Sequence, residues 1–220
     1  MTRNSHPSSL VPIETAAPLI PPRPTLAKLR DASAECKACD LWKTGTQTVF
    51  GEGRQKSLIM FIGEQPGDKE DLSGRPFVGP AGALLDASLE EVGIDRAKVY
   101  VTNVVKHFKW EPRGKRRIHK KPNAAEITAC RPWLQSEINV VRPRAIICLG
   151  STAAEAVIGP KFRVSVQRGI FVPSDLAELV TATVHPSSIL RAPFDEARRS
   201  ERARFVEDLR KIREALHELL

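Results

Sequence analysis

No apolar run in this chain approaches the roughly 20 residues that a membrane-spanning helix needs, so no membrane segment is read. The N-terminus has no basic start, apolar centre and small-residue cleavage site. No secretion signal is therefore read, and a cytoplasmic protein is expected. Cysteine is scarce, at four residues. In a cytosolic chain four thiols do not describe a disulfide scaffold. No internal repeat is visible. Negative charge is nearly missing from one stretch. Between Lys106 and Lys121, Glu111 is the single acid against eight Lys or Arg.

What is present suits a soluble domain. The 220 residues are 27% charged and 41% hydrophobic, enough for one substantial core. A net charge of +8 favours acidic partners. Residues 1–24 hold six prolines and are expected to form an extended or disordered tail. Residues 25–220 are expected to form a single domain. Nothing demands more than a monomer.

Charge as dense as that of Lys106–Lys121 predicts an exposed loop facing a phosphate backbone. His119 lies within it, and neighbouring cations disfavour its charged form. The segment suits a neutral, nucleophilic imidazole held against a polyanion. A solvated basic loop with an idle histidine fits the same residues. Cys36 and Cys39 form a Cys-x2-Cys pair, and Cys130 and Cys148 are separated by 17 residues. Four thiolates suit zinc or an iron–sulfur cluster, and composition does not separate the two metals. Four ordinary buried thiols remain the alternative.

Short apolar runs at 57–62, 99–105, 145–149 and 179–184 predict four buried strands. Helices are predicted over 25–38, 80–92, from Asn123 to about 141, after Ser151, and from 195 to about 219. A minor strand is expected over 167–172. Residues 63–79 read as a loop rich in glycine and proline. Alternating strands and helices predict an α/β fold, a three-layer α-β-α sandwich around a central four-stranded parallel sheet. Ligands of such sheets bind at the carboxyl ends of the strands. Glu64, Asn103, His119 and His185 are expected near one pocket there.

Each has a chemical use. The turn Gly63-Glu-Gln-Pro-Gly67 can aim N–H groups and the Glu64 carboxylate into a cleft. It is no P-loop, because the Lys-Ser/Thr ending is missing. The Asn103 amide offers both donors and acceptors to a base edge. Phe77 can stack on a flat ring. His185 can donate to an oxygen that gains charge. Ser187, Ser188 and Arg191 can bind phosphate. His107 can contact a nucleic-acid backbone.

The segments Gly63-Glu-Gln-Pro-Gly-Asp-Lys-Glu-Asp71, Gly74-Arg-Pro-Phe-Val-Gly-Pro-Ala-Gly82, Val101-Thr-Asn-Val-Val-Lys106 and His185-Pro-Ser-Ser-Ile-Leu-Arg191 resemble the motifs of iron–sulfur uracil-DNA glycosylases. The cysteine spacing matches that group's cluster ligands. The likeness runs from about residue 31 to 214. Gln65 stands where ordinary glycosylases of this type usually carry Ala. Lys115-Arg-Arg-Ile-His119 is similar to the signature loop of the UdgX branch, whose members become covalently attached to DNA.

The resemblance implies a uracil-DNA glycosylase-like fold and a 4Fe-4S cluster on Cys36, Cys39, Cys130 and Cys148. Phe77 would stack on a flipped-out uracil, Asn103 would read its polar edge, and His185 and Gln65 would stabilise it as a leaving anion. Glu64 would lie beside the sugar and His119. Lys115, Arg116, Arg117, Lys120 and Lys121, with Ser187, Ser188 and Arg191, would hold phosphates of uracil-containing DNA, single-stranded by preference and also double-stranded. His119 would then attack the sugar C1′ in place of water. The alternative is an ordinary turnover glycosylase in which water attacks. A non-catalytic DNA-binding protein with a structural metal is the reading from another class.

Overall fold

The computed structural model describes residues 15–219. Four strands form one parallel sheet in the order β2-β1-β5-β6: β1 (Ile59–Gly63), β2 (Val99–Asn103), β5 (Ala145–Leu149) and β6 (Leu179–Thr183). Nineteen of their twenty residues are buried; Leu179 alone is half-buried. Such runs are continuous rather than alternating because both faces of a parallel sheet are covered. Met60, Ile62, Tyr100, Ile146, Cys148, Val180 and Ala182 point into one core. Ile59, Phe61, Val99, Val101, Ala145, Ile147 and Leu149 point into the other. Each large apolar side chain so buried contributes about 1.5–3 kcal/mol.

The first core is covered by α1 (Leu26–Ala34), α4 (Ala124–Val141) and α5 (Ser151–Val157). The second is covered by α3 (Pro80–Glu91), α7 (Pro186–Leu190) and α8 (Asp195–Leu219). The three-layer fold expected from the alternation of strands and helices is present. Local chemistry sets the helix ends. Asn123 Oδ1 accepts the Glu126 N–H, and Glu126 Oε2 accepts the Asn123 N–H, a reciprocal cap that starts α4. Pro80 occupies the first turn of α3, where its missing N–H costs nothing.

Several expectations need correction. Residues 167–172 form no strand. Val164–Gln167 is a short helix, α6, and Val172 makes one isolated bridge to Val180. The expected loop at 63–79 contains α2 (Asp68–Ser73), and α7 follows β6. Residues 1–14 of the expected tail lie outside the described region. Residues 15–24 belong to the fold at least in part: Ala16 is fully buried and its N–H donates to Ala129 O at 2.9 Å.

The largest correction concerns the basic segment. It is not a free loop. Lys106, His107 and Phe108 are buried, and an antiparallel hairpin follows, β3 (Trp110–Arg113) and β4 (Arg116–His119). Gly114 and Lys115 make its two-residue turn, with Gly114 at φ 60°. Glycine at the first turn position supplies the positive φ that such turns require. Among the described residues, no helix is long and apolar enough to cross a membrane.

Candidate active site

The strand ends build a cleft from the sheet side. Gly63 closes β1 opposite Asn103, the last residue of β2. A Cβ on Gly63 would lie 2.4 Å from Asn103 Oδ1 and 3.0 Å from the tip of the Phe77 ring, so only glycine lets both side chains close over the strand end. Phe77 adopts φ 57°, a conformation uncommon outside glycine that tends to mark functional sites. Its ring stacks on His185 at 6.1 Å between centroids, with 26° between planes.

His185 caps α7. Its Nδ1 accepts the Ser187 N–H at 3.1 Å and lies 2.8 Å from Ser187 Oγ. In a neutral ring the proton therefore sits on Nε2, which is the donor. Burial first, then the charges of Arg191 and His119, push the His185 pKa down to about 4. The ring is neutral at physiological pH. Ser188 Oγ donates to the His185 carbonyl at 2.7 Å, and Ser188 and Arg191 are exposed.

The other wall is the hairpin, which delivers His119. Its Nε2 lies 3.3 Å from Glu64 Oε1, and half of its side chain is exposed. Thr152, near the start of α5, donates its hydroxyl to Glu64 Oε2. Burial is the main force holding the His119 pKa below its ordinary value. The Glu64 carboxylate opposes it, and Arg191 adds to it. The cation that contributes, Arg191, lies outside the basic segment that was expected to do this work. The Phe108 ring lies against His119, 6.1 Å between centroids.

Two side chains expected to touch a ligand hold the hairpin instead. Gln65 Nε2 donates to the carbonyls of Lys109 and Lys120, at 3.1 and 3.0 Å, and Gln65 Oε1 accepts the Lys109 N–H at 3.1 Å. One buried amide thus clips the residues at both open ends of the hairpin to the turn after β1. Arg117 donates to Asp68 and Asp71 at 2.5 and 2.6 Å, and its guanidinium lies over Phe108 and Trp110, 5.5 Å from each ring centroid. Arg117 is therefore committed to the protein and not free for a phosphate. Trp110 Nε1 donates to Thr44 O at 2.8 Å. Lys115 and Arg116 at the tip are exposed, as is Lys121, and Lys120 pairs with Glu111 at 3.0 Å. His107 is buried beside Thr48, away from any surface role.

Sequence reasoning missed Thr152, the Asp68–Arg117–Asp71 latch and the hairpin. A signal existed for the hairpin: Gly-Lys between two short segments is a two-residue turn pattern. The latch had none, because Asp68 and Asp71 are 49 and 46 residues from Arg117.

All four cysteines are free. Cys36, Cys130 and Cys148 belong to one core, and Cys39 packs against it. Cys36 Sγ accepts from Trp133 Nε1 at 3.3 Å, and Cys130 Sγ accepts the Lys106 N–H at 3.2 Å. Burial pushes the Cys130 thiol up to about 12 and raises Cys39 and Cys148 as well. Such thiols are inert as nucleophiles and lose their protons only to a metal. Among the described residues, no three His, Cys, Asp or Glu side chains already converge as a coordination sphere. The donor set, four sulfurs with two N–H···S bonds, is chemically suited to iron–sulfur ligation.

The model of the uracil DNA glycosylase superfamily matches residues 50–210. A type-4 uracil-DNA glycosylase of Sulfurisphaera tokodaii is 37% identical over 198 residues, covering 86% of this chain and 84% of that protein. A type-4 uracil-DNA glycosylase of Thermotoga maritima is 40% identical over 166 residues, covering 75% and 83%. A type-5 uracil-DNA glycosylase of Pyrobaculum aerophilum is 29% identical over 150 residues, covering 61% and 63%. The parallel sheet and the residues gathered at its strand ends agree with these matches: the chain belongs to the uracil DNA glycosylase superfamily.

Proposed function

We propose that the protein excises uracil from DNA and then bonds His119 to the deoxyribose C1′ of the emptied site. Excision is the coarser part of the reading, supported by family membership and by the type-4 relatives. A flipped uracil fits between Phe77, as stacking partner, and Asn103, as reader of its polar edge. Single-stranded DNA avoids the few kcal/mol needed to unstack a duplex base and is the favoured substrate. As the N-glycosidic bond breaks, uracil leaves with the bonding pair. The His185 Nε2–H, a neutral donor in a partly buried site, stabilises the anion. Glu64 stabilises the positive charge at C1′.

The observation that carries the covalent step is His119 Nε2 at 3.3 Å from Glu64 Oε1, on a hairpin clipped rigidly to the cleft. Glu64 takes the Nε2 proton as that nitrogen bonds C1′. The products are an N-alkyl imidazole, protonated Glu64 and the uracil anion, so charge and atoms balance. A positioned group can reach an effective concentration of roughly 10⁵ M or more, which lets imidazole precede water. Lys115, Arg116, Lys120, Lys121, Ser187, Ser188 and Arg191 would hold the DNA backbone.

Cys36, Cys39, Cys130 and Cys148 would hold a 4Fe-4S cluster that ties the N-terminal segment, α4 and β5 together and takes no part in the reaction. Iron content and a brown colour test it; colourless, zinc-loaded protein would refute it.

The relatives' names favour a second reading, in which water attacks C1′ and the enzyme turns over. A denaturing gel of protein mixed with uracil-containing single-stranded DNA separates the two. A slower band that survives denaturation and is lost in His119→Ala supports the covalent reading. Full uracil release with no such band leaves the turnover reading, and no release at all removes both.

A further inference from the structure

Lys106 and Glu137 form an ion pair sealed from solvent, with side chains 1% and 0% exposed. The reaction described above uses neither. Lys106 Nζ donates to Glu137 Oε2 at 2.5 Å, to Thr102 Oγ1 at 2.6 Å and to the main-chain carbonyl of Asn103 at 2.7 Å. Those are all three donors of an ammonium group. Glu137 Oε1 accepts the Tyr100 hydroxyl at 2.8 Å and the Gly51 N–H at 3.0 Å. Thr102 Oγ1 also lies 3.0 Å from both carboxylate oxygens. A Cβ on Gly51 would lie 2.2 Å from Glu137 Oε1, so residue 51 has no room for a side chain. The Lys106 ammonium faces the Phe50 ring on a further side, 5.7 Å from its centroid.

A buried ion pair is a poor way to gain stability, since well-packed apolar residues of like volume do as well or better. Its distinctive property is geometric. One ammonium with three fixed acceptors defines the position of each. One acceptor is the carbonyl of Asn103, at the end of β2. The segment that carries Lys106 is itself pinned to β1 and the residue beyond it. Val104 N–H donates to Gly63 O at 2.9 Å, and Val105 N–H donates to Glu64 O at 3.0 Å.

We propose that the buried Lys106–Glu137 pair is a positioning element for Asn103. It fixes the backbone from which the amide meets the base, and so governs both the rate of excision and the choice of base. This rests on the reading of Asn103 as the residue that meets uracil. Lys106 and Glu137 touch no substrate.

The test is a cycle of variants. Lys106→Met with Glu137→Gln removes both charges while keeping volume and an acceptor for Gly51 and Tyr100. Uracil release is measured at saturating protein, in wild type and in Asn103→Ala. In the wild-type background the pair variant is expected to slow release on the order of 10²-fold, the effect of a misplacement near 1 Å. Half-saturation with DNA and the iron content should hold. Uracil should also lose its advantage over cytosine. In the Asn103→Ala background the same change should have almost no effect, because residues acting through one group are not additive. A merely structural pair would lower both backgrounds equally, and that result overturns the inference, as does an unchanged rate in the wild-type background. If the double variant does not fold, Thr102→Val removes one acceptor of the ammonium and is read by the same cycle, with a severalfold loss expected. A wild-type protein that releases no uracil overturns the functional reading, and this inference with it. Equal losses in an active protein overturn this inference alone.

Discussion

His185 and His119 reach the same cleft from different layers, and they are held by different means. His185 comes straight off β6, a core strand, and is locked locally. One nitrogen is occupied by Ser187 two residues away, and burial keeps the ring neutral. His119 comes off a hairpin outside the main sheet and is held from a distance, by Gln65, by Asp68 and Asp71 through Arg117, and by Thr44 through Trp110. Its own ring stays half-exposed, with Glu64 beside it. The core histidine has one protonation state across physiological pH. The hairpin histidine is held below its ordinary pKa too, but a carboxylate stands beside its Nε2 to receive a proton. That is the division expected between a fixed donor and a nucleophile that must surrender a proton.

The comparison breaks first at the hairpin. His119→Ala should abolish the denaturation-resistant band completely while uracil release continues by water attack. Loss of both would mean that the two histidines do not have separate tasks. Next in size is His185→Ala. Removal of one donor to a developing anion costs about 10²–10³-fold in rate, so release and band formation should fall together by that factor in single-turnover assays. A loss confined to the band would reverse the two assignments.

Arg117→Ala should come third. It frees Asp68 and Asp71 and loosens the hairpin, so the ratio of cross-linking to plain hydrolysis should drop about 10-fold or more, with DNA affinity little changed. A uniform fall in affinity that flattens the salt dependence would instead make Arg117 a phosphate contact. The pH profile sharpens the contrast further. Protonated His119 has no free lone pair, so band formation should decline as pH falls through its pKa. That pKa lies below the ordinary histidine value of about 6.5, so the decline should begin only under mildly acidic conditions. Hydrolysis by His119→Ala should be flat over the same range. The smallest effect is Ser187→Ala, which loses one hydroxyl partner of His185 but keeps the amide donor. A hydrogen bond of about 0.5–1.5 kcal/mol corresponds to a severalfold slower release at most.

The same contrast explains what the sequence made legible. The strands and their parallel sheet follow from short apolar runs spaced by helices, a local signal that survives without knowledge of contacts; the order β2-β1-β5-β6 was not legible. Glu64, Asn103 and His185 were readable because strand ends converge in any parallel sheet, and Phe77 because an aromatic stands in a glycine-rich loop. His119 was named from its basic segment, but the hairpin that carries it and the contacts that anchor it were not legible. Charge density at Lys106–Lys121 suggested free solvation, yet Lys106 is neutralised by Glu137, Arg117 by Asp68 and Asp71, and Lys109 by Glu126. Those acids come from other parts of the chain, and only the fold brings them in. Gln65 shows the same limit: the family resemblance implied a ligand contact, and its side chain is instead engaged by partners 44 and 55 residues away.

The order of the parts along the chain bears on how such a protein is made. The hairpin with His119 leaves the ribosome before β6 and His185 do, and domains generally fold as units during synthesis. A half-made chain therefore owns the group that would attach it to DNA but lacks the donor that releases the base. On the covalent reading, a chain that attaches itself to DNA would stay harmless until its last core strand arrives.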